Sequence, residues 1–188
     1  MEIFIKDLFD LLALNAKKIN YYQKYSFTIS SLIILIIGIA FHLAMPVPAN
    51  NAIAGFIFSI IVNFLMFIIA AFFLCLWLKL KPLSVNFFAL YSLSALASVI
   101  SILVLPIDRL FAWLEPPLLL GLHGILFIYS FIIIISAIAK GANTSKGFAL
   151  SGVLLASLLI IIVSTVIHLL GVKMGVLLPP EPIAISKL

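Results

Sequence analysis

Apolar residues fall in five long continuous runs, at 26–45, 52–78, 87–105, 118–139 and 147–170, separated by short polar stretches. About 20 residues of helix cross a hydrocarbon core of about 30 Å, so each run has close to spanning length. In lipid every backbone N–H and C=O must be paired internally, which leaves helices or closed barrels. Barrel strands would alternate polar and apolar positions over about ten residues. These runs do not alternate, so the pattern predicts an all-α bundle of five transmembrane helices. Pro46-Val47-Pro48 ends the first run and Pro106 is expected to stop the third. The second run is longer than a crossing needs and predicts a tilted helix. No run is broken at its centre by Gly or Pro, and no internal repeat is evident. An odd number of spans argues against two equal inverted halves.

Residues 1–25 carry a different pattern. Ile5, Leu8, Phe9, Leu12 and Ala16 recur at helical spacing, while Lys6, Asp10, Lys17 and Asn20 lie largely elsewhere. This predicts an amphipathic segment, lying on the membrane surface or packed under the bundle. The charged lead is too long, and the first apolar run too extended, for a secretory signal. Val47-Pro48-Ala49 could mimic a cleavage site, but an uncleaved anchor is the reading adopted. The chain therefore divides into an N-terminal segment 1–25, a membrane domain 26–170 and a tail 171–188. Pro179-Pro180 and Pro182 predict an irregular tail.

Composition agrees with lipid as the solvent: 65% of residues are hydrophobic, 9% are charged and 16 are Phe. A soluble domain is nearer half apolar and a quarter charged. The net charge of +5 is scattered singly or in pairs at the ends of the runs. That excludes a nucleic-acid-binding stripe and suits contact with headgroups. Eight of the eleven basic residues fall in the N-terminal segment and the second and fourth loops. Three fall in the first and third loops and the tail. The positive-inside rule then puts the N-terminus in the cytoplasm and the C-terminus outside, in a bacterial inner membrane. One cysteine, Cys75, excludes an intrachain disulfide and reads as a small buried hydrophobe.

Candidate chemistry is sparse. His42, His123 and His168 would all sit near the outer ends of their spans, where Glu115 could complete a metal site. No two share helical ligand spacing, and three separate interfacial side chains is the plainer reading, so no metal and no cofactor is expected. Asn63 is the most polar residue near mid-span, suited to an interhelical hydrogen bond or to a solute path. Ser94, Ser98 and Ser101 share a face of the third run, and Ala149, Gly152 and Ala156 repeat small side chains in the fifth. Such faces pack helices closely or line a conduit. Asp108, Arg109, Trp113 and Glu115 read as a solvated turn, and Trp77 with Lys79 and Lys81 as a boundary anchor. No span as drawn holds Asp or Glu, and no hydrolase, metalloprotease or nucleotide-binding motif occurs, so no catalysis is expected.

Two stretches carry a resemblance. One is Lys81-Pro82-Leu83-Ser84-Val85-Asn86-Phe87-Phe88-Ala89-Leu90-Tyr91-Ser92, a polar turn leading through an aromatic-small stretch into a helix that ends near a proline. The other is Ala139-Lys140-Gly141-Ala142-Asn143-Thr144-Ser145-Lys146-Gly147-Phe148-Ala149-Leu150, a glycine-containing loop leading into the last helix. With the five-span layout over about residues 26–170, the chain resembles short bacterial-type members of the Yip1-domain membrane proteins. The resemblance implies a membrane-organising or scaffold role through other membrane proteins or further copies of itself, without catalysis. Family members that engage small GTPases do so with a long cytosolic region. Only about 25 residues stand there in this chain, so that role does not carry over. A small solute or ion transporter or channel is the competing class.

Overall fold

A computed structural model describes residues 2–81 and 83–179. Pro180, Pro182 and Lys187 of the expected tail, and Pro82, lie outside the described residues. Seven α-helices are present among the described residues, with no strand ladder. They are α1 (Glu2–Leu12), α2 (Phe27–Ala44), α3 (Ala52–Leu78), α4 (Phe87–Ala97), α5 (Val104–Leu110), α6 (Pro116–Gly141) and α7 (Lys146–Lys173). Five stretches have the length and hydropathy to cross a membrane: α2, α3, α4 with α5, α6 and α7. The chain is an integral, multi-pass membrane protein of the all-α bundle class.

The spans begin where local chemistry caps them. Ser26, Asn51, Asn86 and Ser145 accept backbone N–H groups of the first turns of α2, α3, α4 and α7, satisfying donors that the helix leaves open. At the far end of α6, Asn143 takes a left-handed conformation (φ 51°). This lets the amides of Asn143 and Thr144 bond back to the Lys140 and Ala139 carbonyls.

The third span is the hub. Every residue from Ala89 to Ala97 is buried, and α4 packs against α2, α3 and α6. Helix α7 closes the ring by packing against α3 and α6. On the outside, Leu32, Ile57, Ile61, Phe72, Ile125, Ile128, Leu158 and Ile161 are exposed, the surface lipid would cover.

The third span departs from expectation in two ways. Pro106 does not stop it, and the span runs on to Leu110. Pro106 sits in the first turn of α5, where a missing N–H costs nothing. The disruption appears upstream instead, as a 3₁₀ stretch over Val99–Leu103 halfway along the span. With no Pro106 amide to bond the Ile102 carbonyl, the chain tightens there. The span as extended holds Asp108 and Arg109, so the expectation that no span contains an acid is corrected.

The described part of the tail, residues 171–179, is also more regular than expected. Helix α7 continues to Lys173, and Gly175 (φ 72°) turns the chain back. Leu177 then pairs with Ala49, and the Leu178 amide donates to the Pro48 carbonyl at 3.1 Å.

Candidate functional site

The bundle has two ends. One holds the N-terminal segment and the α3–α4 and α6–α7 connections, with most of the lysines. The other holds the three histidines. Between them, residues of all five spans line a partly open chamber of about 390 Å³. Its polar wall is Asn63 on α3, Ser94, Ser98 and Ser101 on the third span, Ser130 on α6 and Ser157 on α7. The rest of the lining is apolar and includes Ile37, Phe67, Leu74, Phe131 and Ala156. Among the described residues no charged side chain lines it.

The polar groups are placed by the backbone. The 3₁₀ break begins directly after Ser98 and contains Ser101, so the span's irregular stretch borders this space. Non-helical backbone at membrane depth is tolerated where protein buries it or a cavity borders it. Ser101 Oγ and Ser130 Oγ lie 3.3 Å apart, joining α6 to the break. Asn63 Nδ2 donates to the Ile34 carbonyl at 3.0 Å, across to α2. Gly38 makes room for that amide, since a Cβ there would stand 3.0 Å from Asn63 Nδ2.

The expected serine face is thus a chamber wall, and Asn63 both ties two helices and borders the cavity. Ala156 also lines it, while Gly152 does not. Gly152 instead receives the Trp77 ring, whose Nε1 donates to the Phe148 carbonyl at 3.1 Å. Trp77, one residue from the end of α3, therefore locks α3 to α7. Ser130 and Ser157 escaped the sequence reading. Both interrupt apolar runs, as Asn63 does, and that signal was available.

The histidines separate. His42 and His168 border one pocket of about 220 Å³ with Ser59, Val62 and Asn63. His42 Nδ1 lies 3.0 Å from Ser59 Oγ, and His168 Nδ1 lies 2.8 Å from the Ser164 carbonyl. That pocket shares Phe41, Asn63 and Met66 with the chamber, so the two are separated by one layer of side chains. His123 lies elsewhere, buried against Asp108, with Nε2 2.8 Å from Oδ1. Among the described residues no three His, Cys, Asp or Glu side chains gather as metal ligands. Asp108, expected in a solvated turn, has a side chain only 14% exposed.

At the lysine-rich end the N-terminal segment is packed under the bundle. Asp7 is 1% exposed and joins Lys17 and Lys24, each at 2.6 Å. Tyr25 donates to the same carboxylate at 2.5 Å and Tyr21 at 3.1 Å. Burial alone would raise the Asp7 carboxyl, but donors from Lys17, Lys24, Tyr25 and Tyr21 outweigh it and hold it well below the usual range. The expected apolar stripe is split: Ile5 and Phe9 are exposed and Leu12 and Ala16 pack against the core, while Asp7 and Leu11 are the fully buried positions of α1. A charge outranks hydrophobicity here because two cations and two phenols wait for it.

Comparison with protein-family models, with curated proteins and with solved structures found no match. The class of the protein rests on its own geometry: a five-span α-helical membrane bundle with a mainly apolar cavity, holding a few polar side chains, at a break in its central span.

Proposed function

We propose that this membrane protein binds a small uncharged amphipathic solute in the chamber and passes it across the bilayer. The observation that carries this reading is the grouping of Asn63, Ser94, Ser98 and Ser101 at the 3₁₀ break, among otherwise apolar lining residues. Ligand sites typically combine an apolar lining with a few placed polar groups. Broken helices at mid-membrane mark the substrate sites of many transporters. A wall without charge suits a neutral solute, since an ion would meet no opposite charge. The pocket at His42 and His168 adjoins the chamber through Asn63 and supplies an approach from that end.

The test is uptake of a panel of neutral hydroxylated solutes into proteoliposomes. The S98L/S101L pair, which fills the polar side, should abolish uptake while the bundle stays folded by circular dichroism. Uptake no faster than in protein-free vesicles for every solute would overturn the reading.

The membrane-organising role implied by the resemblance to Yip1-domain proteins is the second reading. It is favoured by the uninterrupted burial of Ala89–Ala97 and the Trp77–Gly152 lock, which make a stiff body suited to a scaffold. Pull-down from native membranes, with no partner protein recovered alongside solute uptake, would remove it. In both readings the protein is non-catalytic, and the lysine distribution supports an N-terminus in the cytoplasm of a bacterial inner membrane.

A further inference from the structure

At the lysine-rich end a separate cavity of about 520 Å³ opens between three chain segments. Lys18 and Asn20 come from the stretch before α2, Ser84 from the lead into α4, and Lys140 and Asn143 from the end of α6. The cavity exists because Gly141 lets the chain cross close above α6. A Cβ there would fall 2.8 Å from the Lys17 carbonyl oxygen and 2.9 Å from Ile19 Cγ1.

The charge in this cavity is one-sided. Two lysines, Lys18 and Lys140, line it, and among the described residues no Asp or Glu does. Two acids of this end are already engaged, Asp7 by Lys17 and Lys24 and Asp10 by Lys17 at 3.7 Å, and Glu2 does not line the cavity. Lys18 and Lys140 form no ion pair among the described residues. Lys140 Nζ donates to the Leu14 carbonyl at 2.6 Å, which fixes the ammonium in place and leaves it further protons to donate. The end of α6 would ordinarily repel an anion. Here the amides of Ala142, Asn143 and Thr144 bond back to its last carbonyls and blunt that effect. Ile19, Leu83 and Val85 complete the wall with apolar surface, and Leu80, in the same α3–α4 connection, is 71% exposed.

We propose that this cavity is a binding site for the phosphate of an anionic phospholipid. Two lysines present point charges suited to a phosphodiester, and the apolar wall receives the start of its acyl chains. A basic pocket between spans at headgroup depth is the expected form of such a site. Free phosphate shares the charge but has nothing to place against Ile19, Leu83 and Val85.

The experiment uses the full chain in nanodiscs of phosphatidylcholine mixed with phosphatidylglycerol. Native mass spectrometry counts the lipids that stay bound. The wild type should retain phosphatidylglycerol preferentially, and K18Q/K140Q should lose that preference by roughly fivefold per lysine. K18Q alone leaves the Lys140 tether intact and guards against misfolding. K146Q removes a lysine of the same end that does not border the cavity and should change nothing. Equal retention by wild type and K18Q/K140Q, or equal loss in K146Q, would overturn the proposal. So would displacement of the lipid by inorganic phosphate, which would make the site one for the free ion.

Discussion

His123 on α6 faces Asp108 on α5, with Nε2 2.8 Å from Oδ1, and both side chains are largely enclosed. Neither Asp108 oxygen nor His123 Nε2 has an aligned hydrogen-bond partner among the described residues. The pair thus sets the far half of the interrupted span directly against its neighbour. Leaving a buried polar group without its partner typically costs about 1–3 kcal/mol, whereas replacing both with apolar groups can be nearly neutral. H123L should therefore lower thermal stability in detergent, by an amount near the bottom of that range given Asp108's partial exposure. D108L/H123L should recover most of the loss. Equal destabilisation by the single and double variants would show that packing, not the stranded carboxylate, sets the cost.

The Asp7 cluster predicts a pH dependence at the other end. Its carboxyl is held below the ordinary value, so its contribution to docking α1 is fully present above about pH 4, where a free Asp is ionised. That contribution declines as pH falls from there toward the depressed value. On the alkaline side Lys17 is raised, chiefly by its hydrogen bond to Asp7. Its contribution is therefore complete up to about pH 10.4 and is lost only as pH rises further. Amide protection in 2–12, taken relative to the intrinsic exchange rate at each pH, should be high between these limits and fall in acid. D7N should show faster exchange at neutral pH and a flatter acid limb. Unchanged exchange in D7N would mean that α1 is held by its apolar contacts alone.

Gly152 should tolerate no side chain. A Cβ there would lie 2.5 Å from Trp77 Cδ1 and 2.7 Å from Nε1. Overpacking of this kind costs about 1–3 kcal/mol, and G152V should also break the Trp77 bond to Phe148. The check is thermal stability together with indole fluorescence in W113F, where Trp77 is the remaining tryptophan. G152V/W77F should regain part of the loss because a smaller ring can retreat.

Asn63 ties α3 to α2 through one hydrogen bond in a membrane interior. Such bonds average about 0.6 kcal/mol in double-mutant cycles. N63A should therefore cost about 1 kcal/mol or less in stability, yet alter solute uptake more strongly because Asn63 borders both the histidine pocket and the chamber. A stability loss with uptake untouched would remove Asn63 from the path.

Much of the architecture was readable along the chain. Continuous apolar runs of spanning length have one solution in lipid, since helices alone pair every backbone group within the segment. The caps at Ser26, Asn51, Asn86 and Ser145 lie at or beside the edges of those runs. Ser94, Ser98 and Ser101 share a face because helical geometry puts positions three and four apart together, and that part of the chamber could be drawn from spacing alone.

What the sequence alone determined about this protein is its class and the number of its membrane-spanning runs, because both depend on local hydrophobicity and local backbone chemistry. The tertiary structure decided the rest. Asp7 turns inward because Lys17, Lys24, Tyr21 and Tyr25 converge on it from a different segment. Asp108 becomes part of a span because Pro106 displaces the break into Val99–Leu103, and His123 meets it from another helix. Ser130 and Ser157 join Asn63 around one cavity because α6 and α7 fold back beside α4. A buried polar group is stable only beside partners that offset its lost hydration, and those partners are distant in sequence, so no periodicity along the chain could name them.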